Sequence, residues 1–89
     1  MLHILKNNGS IVSYQLQKVT RSVLLSCYSA ELDAYQSKIV IKNVISSLHK
    51  WLEGKEEVTT DDIRLRIAET LHSVQPQVAV LYENARNLE

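Results

Sequence analysis

The sequence predicts a mostly helical α+β fold, in which a four-helix cluster is capped by a small β-sheet. Two observations carry this prediction. A β-hairpin pattern occupies the first fourteen residues, and apolar residues then recur at helical spacing to the end of the chain. Each amphipathic helix must bury its apolar face and the sheet needs a cover, so the helices and the sheet satisfy each other. Eighty-nine residues are enough for one such domain but not for two.

The hairpin is predicted from two short runs, Leu2–Leu5 and Ile11–Tyr14, which are rich in β-branched and aromatic residues. Asn7-Asn8-Gly9 stands between them. Asn and Gly tolerate positive φ angles, so this tripeptide is typical of a tight turn between antiparallel strands.

Two helices are expected next. The first covers about Gln15–Tyr28, and Ser29 is expected to cap the second, with Glu31 and Asp33 in its first turn. Gly54 supplies the expected left-handed stop of the second helix. The apolar residues that set the helical period of the first are Leu16, Val19, Val23 and Cys27.

The second half of the chain predicts a short strand and two more helices. Glu56–Thr59 could add a small strand, and Thr59-Thr60-Asp61-Asp62 places a hydroxyl cap and two anions at the start of the third helix. Pro76 suits the first turn of a fourth helix, where its missing N–H costs nothing. We expect one domain over residues 1–87, and we interpret Leu88-Glu89 as either a cloning scar or native sequence.

Composition excludes several classes of function. Ten basic and ten acidic residues give no net charge, which disfavours a basic nucleic-acid-binding domain. The charges are nevertheless divided: residues 1–50 carry six cations and two anions, and residues 51–89 carry four cations and eight anions. One cysteine, no signal peptide and no apolar run long enough to span a bilayer predict a cytoplasmic protein.

No catalytic or metal-binding arrangement is visible. The three histidines lie far apart, and none has a Cys, His or Glu at metal-ligand spacing. Two glycines are too few for a Walker loop or a dinucleotide fingerprint. Cys27 falls on an apolar helix face, which indicates a buried, inert thiol. We therefore expect neither catalysis nor a protein-bound metal.

Two lysines, one at the hairpin and one near the start of the first helix, indicate an anion-binding site instead. Lys6 ends the first strand, Lys18 lies near the start of the first helix, and the hairpin brings these regions together. Thr60 adds a hydroxyl at another helix start. A slot for a flat base would be walled by Ile4, Val19 and Ile63. Periodicity alone leaves open the alternative that these aliphatic residues are plain core and the lysines plain solvated surface.

The ordered set of these residues resembles the ATP-cone domain family. Ile4-x-Lys6-x-x-Gly9, followed by Tyr14 and Lys18-Val19, is similar to that family's Val-x-Lys-Arg-Asp-Gly, Phe and Lys-Ile. Val58-Thr59-Thr60-Asp61-Asp62-Ile63 is similar to its Val-Thr-Ser-x-x-Ile, and Val78-Ala79-x-x-Tyr82 with Arg86 is similar to its closing segment. The resemblance spans nearly the whole chain.

The resemblance implies a three-stranded sheet capping a four-helix bundle. It also implies a non-catalytic module that binds ATP or dATP, with Mg2+, as an allosteric effector. Such modules occur at the N-terminus of many ribonucleotide reductase large subunits, where nucleotide occupancy changes subunit assembly, and Met1 suits that position. Partners would then be adenine nucleotide and either a second copy of the chain or subunits of a larger enzyme. The nucleotide-binding positions that the resemblance implies are Ile4, Lys6, Asn7, Gln15, Lys18, Val19, Thr60 and Ile63.

The chain departs from the family pattern at the hairpin turn. Asn7 and Asn8 stand where the family usually has Arg-Asp, which removes a planar and permanently charged phosphate partner. Leu81 stands where the fourth helix often carries arginine. The alternative is therefore a degenerate cone that serves as a protein–protein interaction module through an exposed apolar patch involving Trp51 or Tyr35.

Overall fold

A computed structural model describes residues 2–85 of the chain. Its elements, in chain order, are β1 (His3–Leu5), β2 (Ile11–Ser13), α1 (Leu16–Ser29), α2 (Ala34–Leu52), β3 (Glu57–Thr59), α3 (Thr60–Val74) and α4 (Pro76–Ala85). The predicted fold class is confirmed: four helices accompany one small three-stranded sheet. Arg86 and the Leu88-Glu89 pair lie outside the described residues.

The sheet joins the two halves of the chain. Its strand order is β2-β1-β3, with β1 antiparallel to β2 and parallel to β3. Ile4 on the central strand therefore lies between Val12 on one side and Val58 on the other. Because β3 leads directly into α3, this parallel pairing places the start of α3 beside the hairpin.

The hairpin turn follows the predicted tripeptide, but only its glycine has positive φ. The Gly9 amide donates to the Lys6 carbonyl at 2.9 Å, and the Lys6 amide donates to the Ser10 carbonyl at 2.8 Å. Gly9 has φ 89°, while Asn7 and Asn8 stay at negative φ. This is the arrangement of a tight turn closed by one left-handed residue, for which glycine carries no steric cost. The Asn8 side chain accepts from the Ser10 amide at 3.0 Å and fixes the turn.

The predicted start of the second helix is wrong. Ser29 is the last residue of α1, and α2 begins after Asp33. The chain between them forms a Schellman motif: the Leu32 amide donates to the Cys27 carbonyl, and the Glu31 amide donates to the Tyr28 carbonyl. Glu31 has φ 63° because it occupies the left-handed position of this motif.

Helix α2 begins with a reciprocal capping box at Asp33, and not with the Ser29 cap that the sequence predicts. The Asp33 carboxylate accepts from the Gln36 amide at 2.8 Å, and the Gln36 side chain accepts from the Asp33 amide at 3.3 Å. The other predicted boundaries are close to those observed. Gly54 has φ 79° just after the end of α2, and Thr59 caps α3 by accepting from the Asp62 amide at 3.0 Å.

The core lies where the four helices meet. Helix α1 packs against α2 and α4, and α3 packs against the same two helices and against β3. Cys27 is fully buried in this core, as predicted. The buried apolar residues that form the core are Val19, Val23, Cys27, Leu32, Val40, Val44, Leu48, Leu52, Val58, Ile63, Ile67, Ala68, Leu71, Val78, Ala79 and Tyr82.

Candidate functional site

A cavity of about 940 Å³ opens between the sheet, α1, α3 and the end of α4. The hairpin forms one end of it, because strands β1 and β2 and the residues that enter α1 all contribute to its wall. None of its described lining residues comes from α2. Ligand pockets in proteins commonly have volumes of about 300–1,000 Å³, so a drug-sized ligand would fit here.

The charged lining of the cavity has one sign. Four basic residues line it: Lys6 just after β1, Lys18 and Arg21 on α1, and Arg64 on α3. None of its described lining residues is Asp or Glu. The whole chain has no net charge, so this concentration of cations is a local feature. Basic groups of one sign around a concave space raise the local concentration of anions.

An apolar wall accompanies the cations. Val19 and Ile63 are buried at the back of the cavity, and Ile4 packs against the same core from the central strand. Ile67 and Leu81 extend this wall along α3 and α4. The cavity thus presents aliphatic surface beside positive charge, which is the combination needed for a ligand with a flat apolar part and an anionic part.

Helix α1 begins at this cavity without a side-chain cap. Gln15 stands at its N-cap position and lines the cavity, but its side chain makes no capping hydrogen bond. By contrast, α2 and α3 are capped by Asp33 and Thr59. The positive end of the α1 dipole therefore adds to the charge of the nearby lysines.

The structure brings together seven of the eight residues that the sequence analysis assigned to the site. Asn7 is the exception: it lies in the exposed hairpin turn and does not line the cavity. The seven that line it are Ile4, Lys6, Gln15, Lys18, Val19, Thr60 and Ile63.

Two arginines of the cavity were missed as site residues. Arg21 lies three residues after Lys18 on α1, and Arg64 lies four residues after Thr60 on α3. Residues with these separations share a helix face, so the spacing itself was the available signal. Leu81, which stands where the family often has arginine, also lines the cavity.

Tyr14 also lines the cavity, although the sequence analysis used it only in the second strand run and in the family pattern. Its hydroxyl lies 2.8 Å from the Nε2 atom of His49 on α2. Burial raises the pKa of the Tyr14 phenol above its ordinary value of 10.0, so the side chain is neutral at physiological pH.

The described residues contain no grouping typical of metal binding. Among residues 2–85, no three or more His, Cys, Asp or Glu side chains are placed to hold a metal ion. Burial raises the pKa of the Cys27 thiol, which the nearby Ser37 hydroxyl partly offsets. A buried thiol with a raised pKa is a poor nucleophile.

The two aromatic residues proposed for an interaction patch differ in exposure. Tyr35 on α2 is 74% exposed. Trp51 is half-buried instead, with the Lys55 Nζ 4.9 Å and the Arg66 guanidinium 5.0 Å from its ring centroid. Two cations over one indole are favourable cation–π contacts, so Trp51 has a structural role between α2 and α3.

Comparison with known proteins places the chain in a family. The family model described as the ATP cone domain matches residues 2–89, essentially the whole chain. The chain belongs to the ATP-cone family. A search of curated proteins finds no significant match. Among residues 2–85, no helix has both the length and the apolar character that crossing a membrane requires.

Family membership gives the chain a general role. ATP-cone domains are regulatory and non-catalytic, and they bind adenine nucleotides as effectors. The cationic and apolar lining described above is the part of this ATP cone whose chemistry matches such a ligand.

Proposed function

We propose that this ATP cone binds ATP or dATP in the cavity between the sheet, α1, α3 and α4, and that occupancy acts allosterically. The observation that carries the proposal is the cavity lining, in which four cations and no described carboxylate stand beside an aliphatic wall. Arginine and lysine side chains neutralise phosphate, and aliphatic surface accepts the flat face of a purine.

The two ends of the ligand are assigned to different residues. Lys6 and Lys18, with the uncapped start of α1, contact the phosphates. Ile4, Val19 and Ile63 contact the base, with the Thr60 hydroxyl beside them. Gln15 supplies a further polar group at the helix entrance. Asn7 lies in the exposed turn beside Lys6 and outside the cavity lining, so it is assigned to neither end of the ligand.

Mg2+ fits this arrangement as a companion of the nucleotide. Magnesium sites usually combine nucleotide phosphates with a few protein oxygens and retained waters. The described lining offers hydroxyl groups but no carboxylate, so the phosphates themselves would hold the ion. The chain's own residues bind and orient the nucleotide.

The regulated partner is a further part of this proposal. We propose a regulatory domain of a ribonucleotide reductase large subunit or a free-standing relative, in which occupancy changes association with a second copy or with other subunits. Analytical ultracentrifugation of the chain with and without ATP measures this association. Sedimentation unchanged by saturating nucleotide would contradict an effect on self-association.

Thermal unfolding with ATP, dATP and GTP at matched ionic strength and magnesium tests the binding. At a hundred times Kd, a single-site ligand stabilises the folded state by about 2.7 kcal/mol. For a domain of this size, each kcal/mol raises Tm by roughly 4–8 °C. We expect a saturable shift with both adenine nucleotides and little with GTP.

Matched variants assign that shift to the cavity. Lys6→Gln and Lys18→Gln should reduce it, whereas Lys42→Gln on α2, outside the cavity, should leave it unchanged. Absence of any shift at millimolar nucleotide would overturn the proposal and favour the degenerate interaction module.

A further inference from the structure

The outward side of helix α2 carries a strip of exposed residues that is basic along its length. Helix α2 packs against α1 and α3, and its exposed side chains recur at separations of three, four and seven residues, which is the spacing of one helix face. No Asp or Glu occurs within Ala34–Leu52. This face, here called the α2 strip, consists of Tyr35, Lys38, Ile39, Lys42, Ser46, His49 and Lys50.

Two large apolar side chains lie among the cations of the α2 strip. Tyr35 is 74% exposed and Ile39 is 44% exposed. They are four residues apart, so they are neighbours on the helix surface, and Lys38 and Lys42 lie beside them at the same spacing. Tyrosine is enriched among the residues that dominate binding at protein interfaces. The strip therefore offers apolar and cationic contacts side by side.

The lysines of the α2 strip are not neutralised by neighbouring carboxylates. Among residues 2–85, none of Lys38, Lys42 and Lys50 forms an ion pair. Asp33 and Glu53 stand at the two ends of α2, and the Asp33 carboxylate is already engaged in the capping box. The positive charge of the strip is thus available to a partner.

We propose that the α2 strip docks an acidic segment of a partner protein. Carboxylates spaced one helical turn apart would pair with the lysines, and an apolar side chain between them would cover Tyr35 and Ile39. The strip lies outside the cavity lining, so the proposal does not depend on nucleotide binding. One of its members, His49, reaches the cavity wall through its contact with Tyr14.

Charge favours this occupant over the others. A second copy related by a two-fold axis through the strip would place lysines against lysines, and like charges repel. Nucleic-acid-binding domains are usually basic as a whole, whereas this chain has no net charge. An acidic protein segment supplies both the carboxylates and the apolar surface that the strip lacks.

Titration with a synthetic acidic peptide, followed by NMR, tests the proposal. A helical peptide of Glu, Ala and Leu about fifteen residues long would match the span of the strip, which is about 22 Å at 1.5 Å per residue. We expect the changes in amide chemical shift to concentrate on α2. Exposed ion pairs are screened by salt, so affinity should fall several-fold as ionic strength is raised to the physiological value. The same peptide with Gln in place of every Glu should not bind.

Matched variants assign the binding to the strip. Lys38→Gln and Lys42→Gln should each weaken peptide binding about two- to fivefold, which is the effect of one exposed ion pair. Tyr35→Ala should weaken binding by a similar factor. Lys55→Gln removes a cation that stands over Trp51, outside the strip, and should bind the peptide as wild type does. Circular dichroism of each variant confirms that the fold is retained.

Four results would overturn the docking surface. The first is a set of shift changes centred on Lys6 and Lys18 instead of α2, and the second is an equal loss of affinity in Lys55→Gln. The third is tighter binding to duplex DNA or to phosphatidylserine vesicles than to the peptide. The fourth is a salt-sensitive self-association that disappears in the double variant of Lys38 and Lys42, which would identify the occupant as a second copy. Because the peptide is titrated without nucleotide, failure of ATP binding would leave this test intact.

Discussion

Tyr14 and His49 connect the wall of the cavity to helix α2. The Tyr14 hydroxyl lies 2.8 Å from the His49 Nε2 atom, and the two rings meet edge to face with their centroids 5.6 Å apart. Helix α2 contributes no described residue to the cavity lining, so this pair gives it a direct contact with the wall. A ligand that moves Tyr14 would therefore also affect α2.

Replacing Tyr14 with Phe should lower the free energy of unfolding by about 0.5–1.5 kcal/mol, because it removes one hydrogen bond and keeps the ring. His49→Ala should cost a similar amount. In the double variant the two losses should not add, since both delete the same contact. Urea denaturation of the four proteins measures the coupling, and strictly additive losses would show that the pair is not coupled in solution.

The raised pKa of Tyr14 sets the pH range of this contribution. The folded-state pKa lies above the unfolded value of 10.0, so the unfolded chain ionises first as pH rises. Stability from Tyr14 is fully present below 10.0 and is lost as pH increases through the folded-state value. The wild-type advantage over Tyr14→Phe should thus be constant at neutral pH and shrink in strong alkali.

Glu31→Gly should stabilise the protein. Glu31 is exposed and has φ 63°. This left-handed conformation costs a residue with a side chain about 1–2 kcal/mol more than it costs glycine. The greater entropy of glycine in the unfolded chain offsets part of this, which leaves a gain of about 0.5–1 kcal/mol. Ala30→Gly is the control, because Ala30 has φ −85° and should only lose stability. A lower Tm for Glu31→Gly would contradict the Schellman assignment.

Thr59→Ala should destabilise α3 through the loss of its cap. The Thr59 hydroxyl accepts from the Asp62 amide at 3.0 Å, and losing such a cap costs about 0.5–2 kcal/mol. Thr59→Ser keeps the hydroxyl and should stay within a few tenths of a kcal/mol of wild type. In urea, the midpoint of the Ala variant should fall at unchanged slope. Equal midpoints for the Ala and Ser variants would argue against the cap.

Cys27 should resist thiol reagents until the protein opens. The side chain is 0% exposed, so a reagent cannot reach the sulfur atom in the folded state. Burial also raises the pKa of the thiol, which disfavours the reactive thiolate. Reaction with an aromatic disulfide should be slow in buffer and complete at once in denaturant. Fast reaction in buffer would contradict the buried position.

The raised pKa of the Cys27 thiol also predicts a loss of stability in alkali. The contribution of Cys27 to the free energy of unfolding is present below the unfolded-state pKa, near 9.0, and is lost as pH rises through the higher folded-state pKa. Cys27→Ala lacks this titration. Its free energy of unfolding should therefore decline less than that of wild type between neutral pH and pH above 9.0.

Local signals in the sequence predicted most of the fold. The hairpin turn, the cap at Thr59 and the stop at Gly54 each depend on one or two adjacent residues, and all three are observed. The start of α2 was missed because the left-handed residue before it is Glu31 rather than glycine. The Asp33-x-x-Gln36 pattern of its capping box was present in the sequence and was the signal to use.

The candidate site was harder to predict where it depends on packing between distant segments. Lys6 and Lys18 could be paired because the hairpin links them within a few residues. Its spacing from Thr60 shows which face of α3 Arg64 lies on. That this face lines the same cavity as the lysines depends on the pairing of β1 with β3 and on the packing of α3, neither of which is a local property. Asn7 was included from the family pattern alone, and the turn geometry places it elsewhere.

The parallel pairing of His3 with Glu57 has a kinetic consequence. It closes a loop of about fifty residues, and we expect such an entropically costly closure to come late in folding. The cavity between the sheet, α1, α3 and α4 is complete only when this pairing has formed, because the pairing places the start of α3 beside the hairpin. A ligand bridging them should therefore slow the unfolding rate at saturation and leave the folding rate nearly unchanged.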